Sequence, residues 1–308
     1  MRVALIGGGG FIGSSVIDVL LQQGHTLRIL EKQGVSPTRG FSNTEIVEWV
    51  SGDFQNEKVL LEILDGIDAV IHLVSTTLPK NSNENPVYDV QSNLVSTIKI
   101  LDSMVQQKVK KIVFLSSGGT VYGNPEFLPI TEDHPTNPIV SYGIVKLAIE
   151  KYIMLYERLF GIKGLILRIS NPYGEKQKIS NAQGAVAVFI HHILNNIPIE
   201  IWGDGSVTRD YLYVQDVAEA IEKSLHYDGY ESIFNISSGK GESLNSIIKL
   251  IEDLMEKKSS KIYLPSRNFD VPVSILSNER AGKELGWKPK LSLMQGIEKT
   301  LDGIKGQI

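Results

Sequence analysis

Two residue patterns in this chain could do chemistry together. The first is Gly7-Gly-Gly-Gly10-Phe-Ile-Gly13, directly behind the apolar run Arg2-Val-Ala-Leu-Ile6. Glycines at 7, 10 and 13 let a backbone turn sharply and let phosphates approach the main chain. If a helix starts there, its free amides and positive dipole end hold a pyrophosphate. The second pattern is Tyr142-Gly-Ile-Val-Lys146. Four residues apart on a helix, the two side chains share one face. A free tyrosine has a pKa near ~10, too high for a base at neutral pH. A neighbouring ammonium, with the positive ring of an oxidised nicotinamide, favours the phenolate. Such a group can serve as acid and base in an alcohol–ketone interconversion. Tyr and Lys at this spacing recur by chance in many helices; behind a nucleotide turn the pair gains meaning.

Elements that could position these residues alternate through the first half. Strands are expected at Val3–Ile6, Thr26–Glu31, Ile46–Val50, Ala69–Val74, Lys111–Ser116 and Gly164–Ile169, with helices at Phe11–Gln23, Glu57–Leu64, Val87–Gln107 and Ser141–Phe160. Short apolar, β-branched runs with helical crossovers predict a parallel sheet covered on both faces, the doubly wound α/β class. From about residue 171 the pattern loosens. A loop over 171–184 leads to a helix at Ala185–Asn195, a strand at Ile199–Ile201, and the polar turn Gly203-Asp-Gly-Ser206. A helix near Asp216, a strand near Ile233–Ile236 and a helix over Leu244–Glu256 follow. Residues 1–170 are therefore expected to form a dinucleotide-binding domain, and 171–308 a smaller lobe with some late segments free to return to the main sheet.

In this frame Glu31, about 20 positions past the glycines at the end of the second strand, is placed to hold the adenosine ribose hydroxyls. A carboxylate repels a 2′-phosphate, so NAD is favoured, although Lys32 and Arg28 leave NADP open. Asp53, just past the third strand, could accept from the adenine amino group or simply make a turn.

Bulk properties bound the rest. The 308 residues are 42% hydrophobic with a net charge of −4, so no basic surface points to nucleic acid or an anionic membrane. The chain has no cysteine, which excludes disulfides, thiolate metal sites and a cysteine nucleophile. His191 and His192 lack ligand-spaced companions, so no metal site is expected. No apolar run approaches the ~18–20 residues of a membrane helix. A soluble, cytoplasmic protein is expected.

These segments resemble the extended short-chain dehydrogenase/reductase family, and most closely its nucleotide-sugar 4-epimerase branch of the UDP-glucose/UDP-galactose type. Besides the glycine turn and Tyr142/Lys146, the likeness is carried by Ala69-Val-Ile-His-Leu-Val74, Asn93-Leu-Val-Ser-Thr97 and Ser116-Ser-Gly-Gly-Thr-Val-Tyr-Gly123. Leu167-Arg-Ile-Ser-Asn-Pro-Tyr-Gly174, Gly203–Tyr211 and Glu284-Leu-Gly-Trp-Lys-Pro289 extend it over nearly the whole chain. The resemblance implies a Rossmann lobe with a smaller C-terminal α/β lobe for a nucleotide sugar. It implies NAD contacts at Gly7, Gly10, Phe11, Ile12, Gly13, Glu31, Asp53, Phe54, Leu73, Ser116, Tyr142 and Lys146. It also implies a UDP-hexose held by Asn171, Arg209, Arg267 and Asp270, with Ser274 at the position that gates pocket size. A small residue there admits N-acetyl groups.

One departure matters. The family carries Ser or Thr where this chain has Gly118, so the hydroxyl expected to bridge substrate O4 and the tyrosine must come from Thr120, next from Ser117, or from a backbone amide near Gly118–Gly119. Family dehydratases carry an Asp-Glu pair where Gly119 and Thr120 stand here; without it, simple redox at C4 is implied. Thr76-Thr-Leu-Pro79 also replaces the usual small residues, which implies an atypical sugar pocket. Trp202, just before the Gly203–Ser206 turn, reads as core packing, with walling of the nucleotide site as the alternative, and Arg168 reads as structural. A net keto-sugar oxidoreductase using the same pair, and a nucleotide-sensing regulator, are the competing readings. Family members pair through helices corresponding to Val87–Gln107 and Ser141–Phe160, so a homodimer is expected.

Overall fold

Runs such as Val3–Ile6 and Ile112–Leu115 carry no polar face, so they are stable only as strands covered on both sides. The computed structural model, which describes residues 1–177, 184–266 and 271–305, places them that way. The first half runs β1 (Arg2–Ile6), α1 (Phe11–Gln22), β2 (Thr26–Glu31), β3 (Val47–Ser51), α2 (Glu57–Leu64) and β4 (Ala69–His72). It continues with α3 (Pro86–Asp89), a π-helical stretch at Val90–Val95, α4 (Ser96–Gln106), β5 (Lys111–Ser117), α5 (Ser141–Phe160) and β6 (Lys163–Ile169).

The second half contains β7 (Asn171–Tyr173), α6 (Ala185–Leu194), β8 (Ile199–Trp202), β9 (Thr208–Tyr213), α7 (Val214–Leu225) and β10 (Ile233–Ile236). After these come β11 (Gly241–Ser243), α8 (Leu244–Met255), β12 (Lys261–Leu264), β13 (Val273–Ser274), α9 (Glu279–Glu284) and α10 (Leu293–Lys305).

The main sheet has seven parallel strands in the order β10-β6-β5-β4-β1-β2-β3. One face packs on α1 and α7, the other on α2, α4 and α5. This is the Rossmann doubly wound fold. The order reverses between β1 and β4, and ligands of such sheets bind beyond the C-terminal strand ends at that switch point.

Two local differences from the sequence expectation, and one placement that it left open, bear on the site. β4 stops at His72, so Leu73 and Val74 leave the sheet and face a cleft instead. The stretch expected as a loop holds β7, which pairs with β9. β10 joins the main sheet beside β6. Trp287, which is almost wholly buried, anchors the tail by donating its indole N–H to the Asp216 carbonyl at 3.0 Å. A third core, built from α6, α8, α10, β8 and β9, supports the smaller lobe.

Candidate active site

Two cavities open at the C-terminal strand ends. The larger, about 1040 Å³, is lined by Gly7, Gly10, Phe11, Glu31, Asp53 and Phe54 among others. Its glycine turn leads straight into α1, with Gly10 at the N-cap. Gly13 must be glycine, because a Cβ there would run into the Gly7 carbonyl and lie 2.7 Å from that of Gly8. Glu31 accepts the Gly9 N–H at 2.9 Å and the Lys32 N–H at 3.0 Å, so its carboxylate is fixed across the turn. Asp53 lines the cavity and accepts the Gln55 N–H at 2.9 Å, the bond of a turn residue. Arg28 is turned away. It donates to Glu48 at 2.6 Å and to the carbonyls of Glu62, Ile63 and Asp65 behind α2.

The smaller cavity, about 530 Å³, meets the larger one at Leu73 and Ser75, which line both. Tyr142, Lys146, Ser116, Ser117 and Thr120 share its wall with Ile12, Asn171 and Arg209. Tyr142 lies in the first turn of α5. The free N–H groups there are met by Ser82 Oγ at 3.1 Å and Asn83 Oδ1 at 2.9 Å. The Ser141 hydroxyl donates to Asp89 at 2.7 Å. Asp89 also receives Thr77 Oγ1 at 2.6 Å and Asn93 Nδ2 at 2.9 Å. Through these bonds the unusual Thr76–Pro79 segment is tied to the start of α5.

Lys146 donates to the Leu115 carbonyl at 2.8 Å, and its ammonium lies 5.7 Å from the Tyr142 ring centre. Burial lowers its pKa to about 8, while the charges of Glu150 and Asp89 oppose the fall. Burial pushes Tyr142 up to about 12; the Ser75 side chain works against this and Asp89 adds to it. The protein's own groups thus keep the phenol protonated at neutral pH, so deprotonation needs a further positive charge against it.

Below this pair lies a buried ion pair. Glu150, fully buried, receives Arg168 Nη2 at 2.7 Å and Nε at 3.1 Å, and also accepts the Ser116 hydroxyl. The Arg168 guanidinium covers the Tyr122 ring at 4.8 Å. Ser116 therefore faces the cavity with its hydroxyl already committed downward. Glu150, Asp89, Ser82 and Asn83 escaped the reading of the sequence. The one signal for Glu150 was its position four residues past Lys146, on the face shared with Tyr142.

At the departure from the family pattern, a Cβ on Gly118 would overlap Leu276 Cδ1 and sit 3.2 Å from the Arg168 carbonyl. A side chain there would require Leu276 to move. The Gly118 N–H is also spent on the Ile169 carbonyl at 2.8 Å, which removes that amide as an oxyanion donor. Thr120 Oγ1, by contrast, is buried on the cavity wall without a hydrogen-bond partner. Ser117 closes β5 on the same wall.

On the other side, Asn171 donates to the Asp210 carbonyl at 3.0 Å, and Arg209 lies on β9 with Nη1 on the Thr208 carbonyl at 3.0 Å. Ser274 is buried in register with Arg209 rather than among the lining residues, where Val271 stands. Arg267 and Asp270 lie outside the described residues.

Residues 3–237 match the NAD dependent epimerase/dehydratase family. The chain belongs to that family. The chain is 35% identical to dTDP-4-dehydro-6-deoxyglucose reductase of Escherichia coli, over 98% of this chain and 97% of the relative. Among solved structures it is similar to the UDP-glucose 4-epimerase of Thermotoga maritima with UDP-glucose, at TM-score 0.93 and 31% identity over 100% and 99% of the two chains. It is also similar to the Thermus thermophilus UDP-glucose 4-epimerase complex with NAD, at TM-score 0.91 and 30% identity over 100% of both. Among the described residues no helix is long and apolar enough to cross a membrane.

Removing the cation from the buried pair should be severe. Arg168→Ala is expected to cost about 3–5 kcal/mol of stability by leaving Glu150 unpaired. The double variant Arg168→Met/Glu150→Gln should recover part of this. Urea unfolding of the three proteins measures it.

Proposed function

We propose that this protein epimerises a UDP-hexose at C4, with NAD as a resident cofactor and a transient 4-keto sugar. The observation that carries the reading is the wall of the smaller cavity, which Tyr142, Lys146 and Thr120, with its unpartnered hydroxyl, line together, while Leu73 and Ser75 join that cavity to the larger one. The larger cavity suits NAD. Its glycine turn heads a helix, the Glu31 carboxylate that would meet the ribose hydroxyls is fixed across that turn, and of the two nearby cations Arg28 is engaged elsewhere while Lys32 lines the cavity. When bound, NAD would supply the acceptor and donor for the hydride at C4.

Tyr142 takes the O4 proton and later gives it back. Lys146 supports the phenolate by its charge. Thr120 gives its free hydroxyl to O4 and so orients it. Arg209 and Asn171 hold the diphosphate, with Arg267 and Asp270 as further contacts from the same lobe. In this division residues 1–170 hold the dinucleotide and 171–308 supply most of the sugar-nucleotide contacts. A reducing cytoplasm suits the cysteine-free chain. The kinship with the Escherichia coli reductase keeps a net reductase as the second reading, which demands stoichiometric NAD(P)H. Turnover without added cofactor distinguishes epimerisation.

Tyr142→Phe is expected to lower kcat by about 10³-fold, the scale of a general acid–base contribution. For the wild type, kcat/KM should fall as pH rises through about 8, because the buried Lys146 ammonium is lost there and the phenolate loses its support. Lys146→Arg should flatten that limb. Interconversion assays from pH 6 to 10 decide both.

Ser274, small and buried beside Arg209, puts no bulky ring against the cavity, so UDP-N-acetylglucosamine is expected to be turned over beside UDP-glucose. Steady-state rates on the two substrates test this, and no turnover of the acetylated sugar would reject it.

A homodimer completes the proposal. Val87, Val95, Ile144 and Leu159 are exposed by 42–66% on α3, α5 and the π-helical stretch between α3 and α4, an apolar area suited to a second copy. Ile144→Glu/Leu159→Glu should elute as a monomer in light-scattering chromatography where the wild type elutes as a dimer.

A further inference from the structure

Unassigned chemistry lies at the far end of the sheet from the cleft. His25, between α1 and the N-terminal end of β2, is only 6% exposed, yet neither ring nitrogen has a hydrogen-bond partner. Buried polar atoms left in this condition are uncommon and call for a reason. Glu222 and His226 stand one turn apart at the end of α7, which packs against α1. Glu222 Oε1 is 3.1 Å from His226 Nε2 and 3.9 Å from His25 Nε2. One donor atom from each of the three residues lies within 4.8 Å of the others.

We infer that His25, Glu222 and His226 bind a divalent transition-metal ion, Zn(II) first among them. Two imidazoles and a carboxylate form a borderline-soft donor set that suits zinc and not calcium or magnesium, which take oxygen. Metal–ligand bonds of about 2.0–2.2 Å place tetrahedral donors roughly 3.3–3.5 Å apart. The 3.1 and 3.9 Å gaps bracket that spacing, and exposed His226 is free to adjust. The fourth position is left to water.

Burial holds His25 below its ordinary pKa, with the Met1 ammonium and His226 acting the same way and Glu222 opposing. His226 also caps the C-terminal, electronegative end of α7, which favours a cation. A bound ion would fasten the α1–β2 turn to the end of α7. Its effect should fall on stability and not on turnover, because the reaction takes place at the opposite strand ends.

The test uses untagged, chelator-treated protein. Zinc chloride is added, metal content is measured after gel filtration, and melting is followed with and without zinc. One zinc per chain and a rise in Tm of about 5 °C at a hundredfold excess over Kd are expected. His226→Ala and Glu222→Gln, both towards the surface, should melt like the wild type in chelator and lose the zinc shift. Cobalt(II) should give tetrahedral visible bands in the wild type that are missing in His226→Ala. A wild type that retains no zinc, or variants that bind and shift equally, would overturn the assignment. Epimerisation measured alongside stands or falls separately.

Discussion

A buried ammonium is the constraint around which this site is organised. Lys146 is buried at the second turn of α5, where desolvation works against its charge. Glu150, one turn further along the same face, opposes the loss of that charge. Glu150 is itself fully buried, and such a carboxylate is tolerable only when paired and hydrogen-bonded. Arg168 on β6 and the Ser116 hydroxyl on β5 meet that need. Signs alternate from Lys146 to Glu150 to Arg168, and the last charge lies against the Tyr122 ring. The proposed acid–base pair thus rests on polar groups drawn from one helix and two central strands.

The same helix start sets where the phenol points. Its free amides are met by Ser82 and Asn83, and its first hydroxyl by Asp89, so the position of Tyr142 depends on the segment that follows β4. That segment leaves the sheet at His72, which gives Leu73 and Ser75 to the cleft. At Gly118 the space a side chain would need belongs to Leu276. Two residues on, the Thr120 oxygen is buried and unpartnered, which is why the proposed hydroxyl role falls to it.

The strands and helices of the first half were legible because each strand contains apolar, largely β-branched residues and most crossovers have a helical period of their own. The ends of α2 and α5 and the whole of β2 and β10 fall where the sequence places them. The glycine turn and the Tyr–Lys pair were legible because spacing alone encodes them. The supporting polar groups were not. Asp89, Ser82 and Asn83 act on residues about 50–60 positions away, and no periodicity reports such partners. Glu150 looked like any helical glutamate until Arg168 was placed beside it. The membership of β10 in the main sheet was open for a similar reason: a short apolar strand does not name the sheet that takes it.

That membership has a mechanical consequence. The chain crosses from the large lobe to the small one after β6 and comes back through β9, α7 and β10. β9 carries Arg209, and the helix that follows it immediately, α7, packs along α1, the helix that rises from the glycine turn. Lys176, just past β7, reaches Asp18 on α1 at 2.7 Å, and Tyr213 at the end of β9 donates to Glu175 at 2.8 Å. The cation proposed for the sugar diphosphate and the amides proposed for the dinucleotide are therefore fixed by one helix–helix contact and its flanking bonds. A hydride moved out and back within one cleft needs two ligands held in constant register, and a packed pair of helices supplies that register with less freedom than a hinge between separate domains would allow.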